Sequence, residues 1–488
     1  MLNVTLKRSL ILSAVLLVAA LAGTAGTASA AIKTGVYDLF TFSNATQRDD
    51  SLGKTRAAGS NLAKSLIYWR NVAPGQEPAN PRNPEVGYNW AAPDAFVNEA
   101  ISKHLQPVLT IFQAPKWASG KRVKGNGYDG VNKISTAKFH DFAIALAKHY
   151  KPRGVHYYEV WNEPNLPWFF TPQLKNGKFV SPAKYRALVN AFASGIHTVD
   201  RSATVIGGNT APFGHPPPRG HSIGPKPFLK RVVSSKVRFD AWSTHPYTYG
   251  GPTHHAANDS DVSLGDMGEL RRILNKARRS GKILGSHKPQ LWASEFSWDS
   301  KGPDSRGVRM KLLSRWISET VYRLNKAGVN TLLWFGQRDR PFSGIQTQSG
   351  FWFCGKVDLT DENSCGGSTF DTKAKDARKA IFNAFRFPFV AYAGNGKVKV
   401  WGKRPGGMGG PIEIWRKKPK GSWNKVTTIN PGANFSKTFK SSWTTGVYQA
   451  RTGSIESVPF SLKRVGDKSV LPFGCLSTPT CRPNGKPY

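Results

Sequence analysis

The sequence predicts an α/β protein: a (β/α)8 TIM barrel followed by a small C-terminal antiparallel β-sandwich. From Gly35 to about Phe387, short apolar runs alternate with amphipathic helical stretches, which is the pattern of repeated βα units. Beyond about Pro388 the helical stretches stop, and short β-like runs recur between Gly, Pro and Ser turns. Eight βα units fit the first region and favour a closed barrel. A doubly wound open sheet is the alternative, because periodicity alone does not separate the two.

The predicted barrel strands are the short apolar runs of the first region. They are Val36–Phe42, Ala63–Trp69, Pro107–Ala114, Val155–Glu163, Thr204–Asn209, Phe239–His245, Gln290–Phe296 and Thr331–Gln337. The predicted helices are Pro93–His104, Thr136–Tyr150, one that opens at Ser181, Leu264–Arg279, Val308–Lys326 and Thr372–Phe385. Pro182 supports the start at Ser181, because proline is tolerated in the first turn of a helix.

The N-terminus has the features of a cleaved secretory signal. Lys7 and Arg8 precede an apolar run over Leu10–Leu21, and Ala28-Ser29-Ala30 supplies the small residues of a cleavage site. The apolar run is shorter than the ~20 residues that span a bilayer, so we expect no stable membrane insertion. We therefore predict a secreted, extracellular protein. Its segments would be a signal peptide (1–30), the barrel (31–387), the sandwich (388–470) and a tail (471–488).

Strands of the sandwich are predicted from their spacing between turn residues. They are Lys397–Trp401, Pro411–Lys417, Trp423–Ile429, Gly446–Arg451 and Val458–Leu462. The four cysteines form two local pairs, Cys354 with Cys365 and Cys475 with Cys481. Export favours disulfides over metal ligation, so we expect two bonds that staple surface segments.

A large positive charge narrows the class of partners. The formal net charge is +39, and removal of Lys7 and Arg8 with the signal would leave +37. Such an excess of positive charge favours the binding of polyanions, including acidic polysaccharide and cell-wall polymers. The alternative is that the charge only keeps the protein soluble. No nucleic-acid-binding module is recognisable, and we expect no nucleic-acid partner. Association with a cell wall through the basic surface is one expectation.

The strongest chemical signal is the run Tyr157–Asn165, which contains Trp-Asn-Glu-Pro. An apolar strand leads directly into Glu163, and Pro164 then ends the strand because it cannot donate to a sheet ladder. Glu163 would therefore lie at the carboxyl end of the fourth barrel strand, where the active sites of such barrels assemble. The alternative is that Glu163 only caps a loop.

In this motif the chain resembles the clan of retaining glycoside hydrolases built on (β/α)8 barrels (clan A), in its cellulase-like and xylosidase-like branches. The resemblance implies that Glu163 is the acid/base and that a second glutamate, the nucleophile, ends strand seven. Glu295 closes the apolar run Pro289–Phe296 and matches that place in the strand count. Such enzymes cleave O-glycosidic bonds of a poly- or oligosaccharide by double displacement, with no cofactor.

Other motifs extend the resemblance along the barrel. It implies that Asn162 donates to the substrate 2-hydroxyl and that Tyr247 and His245 lie at the end of strand six, where Tyr247 would orient Glu295. It places a sugar-stacking tryptophan, Trp334, on strand eight, and adds Trp69 and Trp117 near the mouth. Each of these aromatic residues is alternatively core.

One position departs from the clan. The clan often has an arginine on strand two that hydrogen-bonds the nucleophile, whereas the matching residue here is Lys64. Lysine cannot supply the bidentate guanidinium fork. Either Arg70 substitutes for that arginine or the nucleophile is supported differently.

Two further hypotheses compete with an active glycosidase. One is a catalytically inactive carbohydrate-binding barrel, and the other is a wall-attachment protein that acts through the basic C-terminal region. Arg338, Arg340 and Lys356 would favour a carboxylated sugar if they face the substrate. The adjacent His254 and His255 are only superficially similar to a metal site, and we predict no metal in catalysis.

Overall fold

The structure is a computed structural model of the 488-residue chain. It describes residues 31–462 apart from 125–127, 218–220, 249, 286, 303, 305, 341–346, 354–375, 431 and 441–445. The predicted signal peptide, the tail, Lys356 and all four cysteines lie outside the described residues, so the two disulfides stay predictions.

Eight parallel strands close into a barrel, so the alternative of an open sheet is wrong. They follow one another around the barrel in chain order, and the first strand pairs with both the second and the eighth. Their bounds are β1 Lys33–Tyr37, β2 Leu62–Tyr68, β3 Gln106–Phe112, β4 Tyr157–Val160, β5 Thr204–Thr210, β6 Ala241–Thr244, β7 Gln290–Phe296 and β8 Thr331–Phe335.

A helix follows each barrel strand. The helices are α1 Arg48–Ala57, α2 Ala91–Ser102, α3 Thr136–Tyr150, α4 Ser181–Val199, α5 Pro225–Val232, α6 Met267–Arg279, α7 Met310–Lys326 and α8 Ile381–Arg386. Helix α3 begins after Ser135, whose hydroxyl accepts a hydrogen bond from the Lys138 N–H. Gly195 of α4 lets α3 pack closely, since a Cβ there would lie 2.5 Å from the His140 carbonyl oxygen. Among the described residues, no helix is long and apolar enough to cross a membrane.

All eight predicted strands are confirmed as barrel strands, with ends that differ by up to five residues; the first prediction, Val36–Phe42, overlaps β1 only at Val36 and Tyr37. Helices α1 and α5 were not predicted. Helix α1 buries Arg48, Ser51 and Thr55 beside Leu52, so its buried face has no apolar stripe. Helix α5 has only eight residues, two of them prolines.

The C-terminal region forms antiparallel sheets, as predicted. Its main strands are β9 Phe389–Gly394, β10 Lys397–Lys403, β11 Ile412–Lys417, β12 Trp423–Ile429, β13 Asn434–Lys440 and β14 Val447–Thr452. Strands β9, β10 and β13 form one sheet, and β11, β12 and β14 belong to the other. The region packs on α7, where the ring of Tyr322 lies 5.3 Å from that of Trp401 and the Arg315 guanidinium lies 4.0 Å from the Phe460 ring.

Candidate active site

The two predicted acids lie at the carboxyl ends of barrel strands. Glu163 follows β4 and Glu295 is the penultimate residue of β7, and their side chains are 16% and 13% exposed. The backbone around Glu163 is held in an uncommon conformation, with positive φ at Trp161 (69°) and Glu163 (42°). A hydrogen bond of 2.9 Å from the Glu163 N–H to the Asn209 carbonyl oxygen fixes this turn. Backbone strain of this kind clusters at functional sites.

One buried imidazole joins the two acids. Nδ1 of His245 lies 2.8 Å from Oε1 of Glu163, and Nε2 lies 3.7 Å from Oε2 of Glu295. His245 follows β6, so the site draws on three strands that converge at one mouth. These contacts keep the two carboxyl groups within the ~9.5 Å limit of glycosidase mechanisms.

Asn209, at the end of β5, determines which nitrogen of His245 carries the proton. Its Nδ2 donates to the Trp161 carbonyl oxygen (2.7 Å), which fixes the orientation of the amide. Oδ1 therefore faces His245 and accepts from Nε2 at 2.6 Å. Because Nε2 must donate, Nδ1 of a neutral imidazole is an acceptor. With a neutral imidazole, Glu163 is the protonated partner and donates its O–H to Nδ1.

Electrostatics favour the same protonation pattern. Burial lowers the pKa of His245 to about 4, so the imidazole is neutral near pH 7. Burial raises the pKa of Glu163 to about 8, although the positive charge of Lys64 opposes the rise. A neutral imidazole beside a protonated carboxyl group is therefore the stable arrangement at neutral pH.

Glu295 accepts a hydrogen bond from a tyrosine hydroxyl, which suits an ionised carboxylate. The Tyr247 hydroxyl donates to its Oε1 at 3.0 Å, in the orienting position that the resemblance implied. Burial raises the pKa of Glu295, as does the neighbouring Glu163, whereas His245, Lys64 and the Tyr247 hydrogen bond oppose the rise. Of the two acids, Glu163 therefore faces an acceptor, Nδ1 of His245, and Glu295 faces a donor, the Tyr247 hydroxyl.

Lys64 lies below this pair and supports the nucleophile only indirectly. Its buried Nζ contacts Oε2 of Glu159 (2.7 Å), Oδ1 of Asn209 (3.2 Å) and the Ser294 carbonyl oxygen (3.3 Å). Burial raises the pKa of Glu159, but the Lys64 charge and hydrogen bonds outweigh it, and the net pKa is lowered. Arg70 is exposed, and no ion pair joins it to Glu295 in the part of the chain that the structure describes.

Of the remaining predicted residues, Asn162 lies beside the acids, whereas Trp334 packs in the interior. Oδ1 of Asn162 accepts from Nδ2 of Asn209 at 3.2 Å, which turns its own amide nitrogen away from that bond. Trp334 is only 1% exposed, donates to the Ser349 carbonyl oxygen and stacks on Phe351. A ring buried on this scale cannot offer a face to a sugar, so the expectation for Trp334 is corrected to a packing role.

Of the other two tryptophans, Trp69 packs in the interior, whereas Trp117 stays partly exposed. Trp69 is fully buried and stacks on Phe142 at 5.0 Å, which corrects its predicted role in sugar binding. Trp117 is half-buried, contacts Trp69 edge-on and donates to the Ala73 carbonyl oxygen.

The Arg338 guanidinium forms an ion pair with Asp376 at 2.9 Å, so the hypothesis that Arg338 binds a carboxylated sugar is not supported.

Sequence reasoning missed Asn209 and the Lys64–Glu159 pair. A signal was present, since Lys64 and Glu159 are charged residues within otherwise apolar strands and must be paired if buried. Thr110 and Ser243 each donate to Glu159 at 2.7 Å and complete that network. Asn209 follows two glycines and has a left-handed backbone (φ 50°) as the penultimate residue of β5.

No protein-family model and no curated protein sequence matches this chain. Among solved structures, it is similar to a family 39 glycoside hydrolase from the gut symbiont Bacteroides cellulosilyticus WH2, with 14% identity, a TM-score of 0.51 and coverage of 84% of this chain and 81% of that one. It also matches a family 44 xyloglucanase from Paenibacillus polymyxa (11% identity, TM-score 0.39, 85% and 95% covered) and a Bacteroides uniformis β-glucuronidase (8%, 0.42, 89% and 46%). At these identities the first likeness shows the barrel fold alone.

Proposed function

We propose that this protein is a retaining glycoside hydrolase in which Glu163 is the acid/base and Glu295 is the nucleophile. One observation carries the proposal: both glutamates contact opposite nitrogens of His245, and the proton on Nε2 leaves Nδ1 to accept from Glu163. The arrangement supplies one proton donor and one carboxylate at the same mouth. Glycosidic cleavage requires this combination.

In the first step, Glu163 gives its proton to the glycosidic oxygen while a carboxylate oxygen of Glu295 attacks the anomeric carbon. The bond from that carbon to the leaving oxygen breaks, and a covalent glycosyl–Glu295 ester forms. In the second step, ionised Glu163 takes a proton from water, and the resulting hydroxide displaces Glu295. Two inversions give net retention of the anomeric configuration. Asn162 would donate to the 2-hydroxyl of the bound sugar.

Glu163 must be protonated and Glu295 ionised for the first step. Activity should therefore fall as the pH rises through the Glu163 pKa of about 8. It should also fall at acid pH, through a limb above the ordinary glutamate pKa, because burial raises the pKa of Glu295.

Glu163→Ala and Glu295→Ala variants test the two roles separately. Without its acid, the Glu163 variant should still cleave dinitrophenyl glycosides, whose leaving group needs no proton, but should lose about 10³-fold or more on unactivated oligosaccharides. The Glu295 variant should lose activity on both classes, and azide should restore turnover with inverted product. Product anomers followed by NMR on a panel of cello-, xylo-, manno- and galacto-oligosaccharides provide the readout. Full activity in both variants would contradict the proposal.

Export is also proposed, on the basis of the segment with Lys7, the apolar run and Ala28-Ser29-Ala30. N-terminal sequencing of protein recovered from culture medium should give a start near Ala31. Recovery of full-length chain only from cells would contradict export.

A further inference from the structure

Aromatic side chains form a patch at the barrel mouth beside β3 and β4. Five large hydrophobic side chains are exposed in the described part of the chain, and two of them are aromatic: Tyr128 (51%) and Trp168 (50%). Tyr128 lies in the loop after β3, and Trp168 lies in the loop after β4, five residues beyond Glu163. The Tyr128 N–H donates to the Trp168 carbonyl oxygen at 3.4 Å and joins the two loops.

On the Tyr128 side, the patch packs on partly or fully buried rings. Phe112, the last residue of β3, contacts Tyr128 at 6.3 Å and Phe169 at 5.9 Å between ring centroids. Phe169 also contacts Tyr128 at 5.8 Å, so three rings support one another. Tyr68, at the end of β2, packs on Phe112 at 6.2 Å and extends the patch. Supported rings of this kind offer a preorganised apolar face next to polar groups.

The patch lies on the side of the mouth toward which the leaving group must depart. In the closed barrel, β7 and β3 are separated by three strands on either side, so Glu295 and Phe112 lie on opposite walls. Attack by Glu295 is in line with the bond that breaks, which directs the leaving group away from β7 and across the mouth. Glu163, on the neighbouring β4, protonates that group from the side. The leaving group therefore extends over the loops that carry Tyr128 and Trp168.

We infer that Tyr128 and Trp168 form a subsite that stacks on a sugar ring of the leaving group. The inference rests on the proposed function and specifies its substrate class: an oligo- or polysaccharide whose leaving group is itself a sugar. Exposed aromatic faces suit the apolar C–H faces of a pyranose ring, whereas a small alkyl leaving group would leave most of the patch uncovered.

The test compares two substrates of one sugar that differ only in the leaving group. A tetraose (cello-, xylo-, manno- or galacto-) presents a sugar ring to the patch, and the matching glycosyl fluoride presents a single atom. Tyr128→Ala should lower kcat/KM about tenfold or more on the cleaved tetraose, and change it less than about twofold on the fluoride. Tyr128→Phe, which keeps the ring, is the matched control, and Trp168→Ala should behave like Tyr128→Ala. Both positions are exposed, so little effect on folding is expected.

A second measurement does not depend on turnover. The Glu295→Ala variant should bind the same tetraose by calorimetry, and adding Tyr128→Ala should weaken that binding by about tenfold. Equal effects of Tyr128→Ala on tetraose and fluoride, no effect on either, or wild-type turnover of fluorides without turnover of any tetraose would overturn the inference. Failure of the wild-type protein to act on any fluoride or tetraose would instead overturn the proposed function.

Discussion

Two buried lysines each form an ion pair with a buried acid inside a larger hydrogen-bond network. One network leads to the candidate catalytic acids, and the other leads to loop backbone. Lys64 pairs with Glu159 at 2.7 Å, and Lys379 pairs with Asp339 at 2.6 Å. The Lys64 network continues through Asn209 to His245 and from there to both candidate catalytic acids. The Lys379 network continues to Ser300 and to the Gln348 carbonyl oxygen.

In the Lys379 network, the acids are hydrogen-bonded to backbone N–H groups of the protein itself. Asp299 accepts from the Gln348 N–H, and Asp339 accepts from the Gly350 N–H, both at 2.9 Å. Burial raises the pKa of Asp299 to about 7 and that of Asp339 to about 6. These shifts are comparable in kind to that of Glu163, yet the contacts of these acids secure the loops after β7 and β8. A raised carboxyl pKa therefore identifies catalysis only when the geometry also opens onto a substrate.

The largest expected effect is on stability, and it should be shared by both networks. Lys64→Met and Lys379→Met should each cost about 3–5 kcal/mol of folding free energy, because each leaves a buried carboxylate without its charge partner. Only Lys64→Met should also change the pH profile of the remaining activity, since Lys64 opposes the rise in the Glu163 pKa. Denaturant unfolding and pH–rate profiles provide the measurements. A similar pH shift in Lys379→Met would remove the distinction between the networks.

Glu163→Gln and Asp299→Asn should both stabilise the fold at alkaline pH. In each case the folded pKa lies above the unfolded value, so the unfolded state releases its proton first and stability falls as the pH rises. The window runs from 4.5 to about 8 for Glu163 and from 3.8 to about 7 for Asp299. An amide removes this loss, with an expected gain of up to about 4 kcal/mol near pH 8. Activity should be lost in Glu163→Gln and kept in Asp299→Asn; loss in both would contradict the comparison.

Asn209→Asp is a smaller and more specific perturbation. A carboxylate at this position would stabilise a charged imidazole, so the proton would move from Glu163 to Nδ1 of His245. The basic limb of the pH profile should then shift to lower pH, with about tenfold less activity near pH 8. Asn330→Asp is the matched control, because its Oδ1 accepts from Arg271 at 3.0 Å and from the Leu291 N–H, and neither bond involves Asn209 or His245. An unchanged basic limb in Asn209→Asp would argue against the assigned proton positions.

Strand periodicity was enough to predict the barrel and the places of Glu163 and Glu295, because both acids end apolar runs whose order is set by the chain. The roles of Trp69 and Trp334 could not be read in the same way. A tryptophan at a strand end can turn toward the mouth or toward the helices, and only packing against Phe142 or Phe351 decides between them. Asn209 was missed because its function arises from contacts with residues distant in sequence, including Trp161 and His245.

The protonation state of His245 tests the central claim most directly. In protein labelled with ¹⁵N-histidine, with a His245→Gln variant to assign the signals, we expect a protonated Nε2 and an unprotonated, hydrogen-bonded Nδ1 that do not titrate between about pH 5 and 8. A doubly protonated ring near pH 6.5, or a proton on Nδ1 alone, would mean that Glu163 does not hold the proton, and would contradict the assignment of Glu163 as the acid.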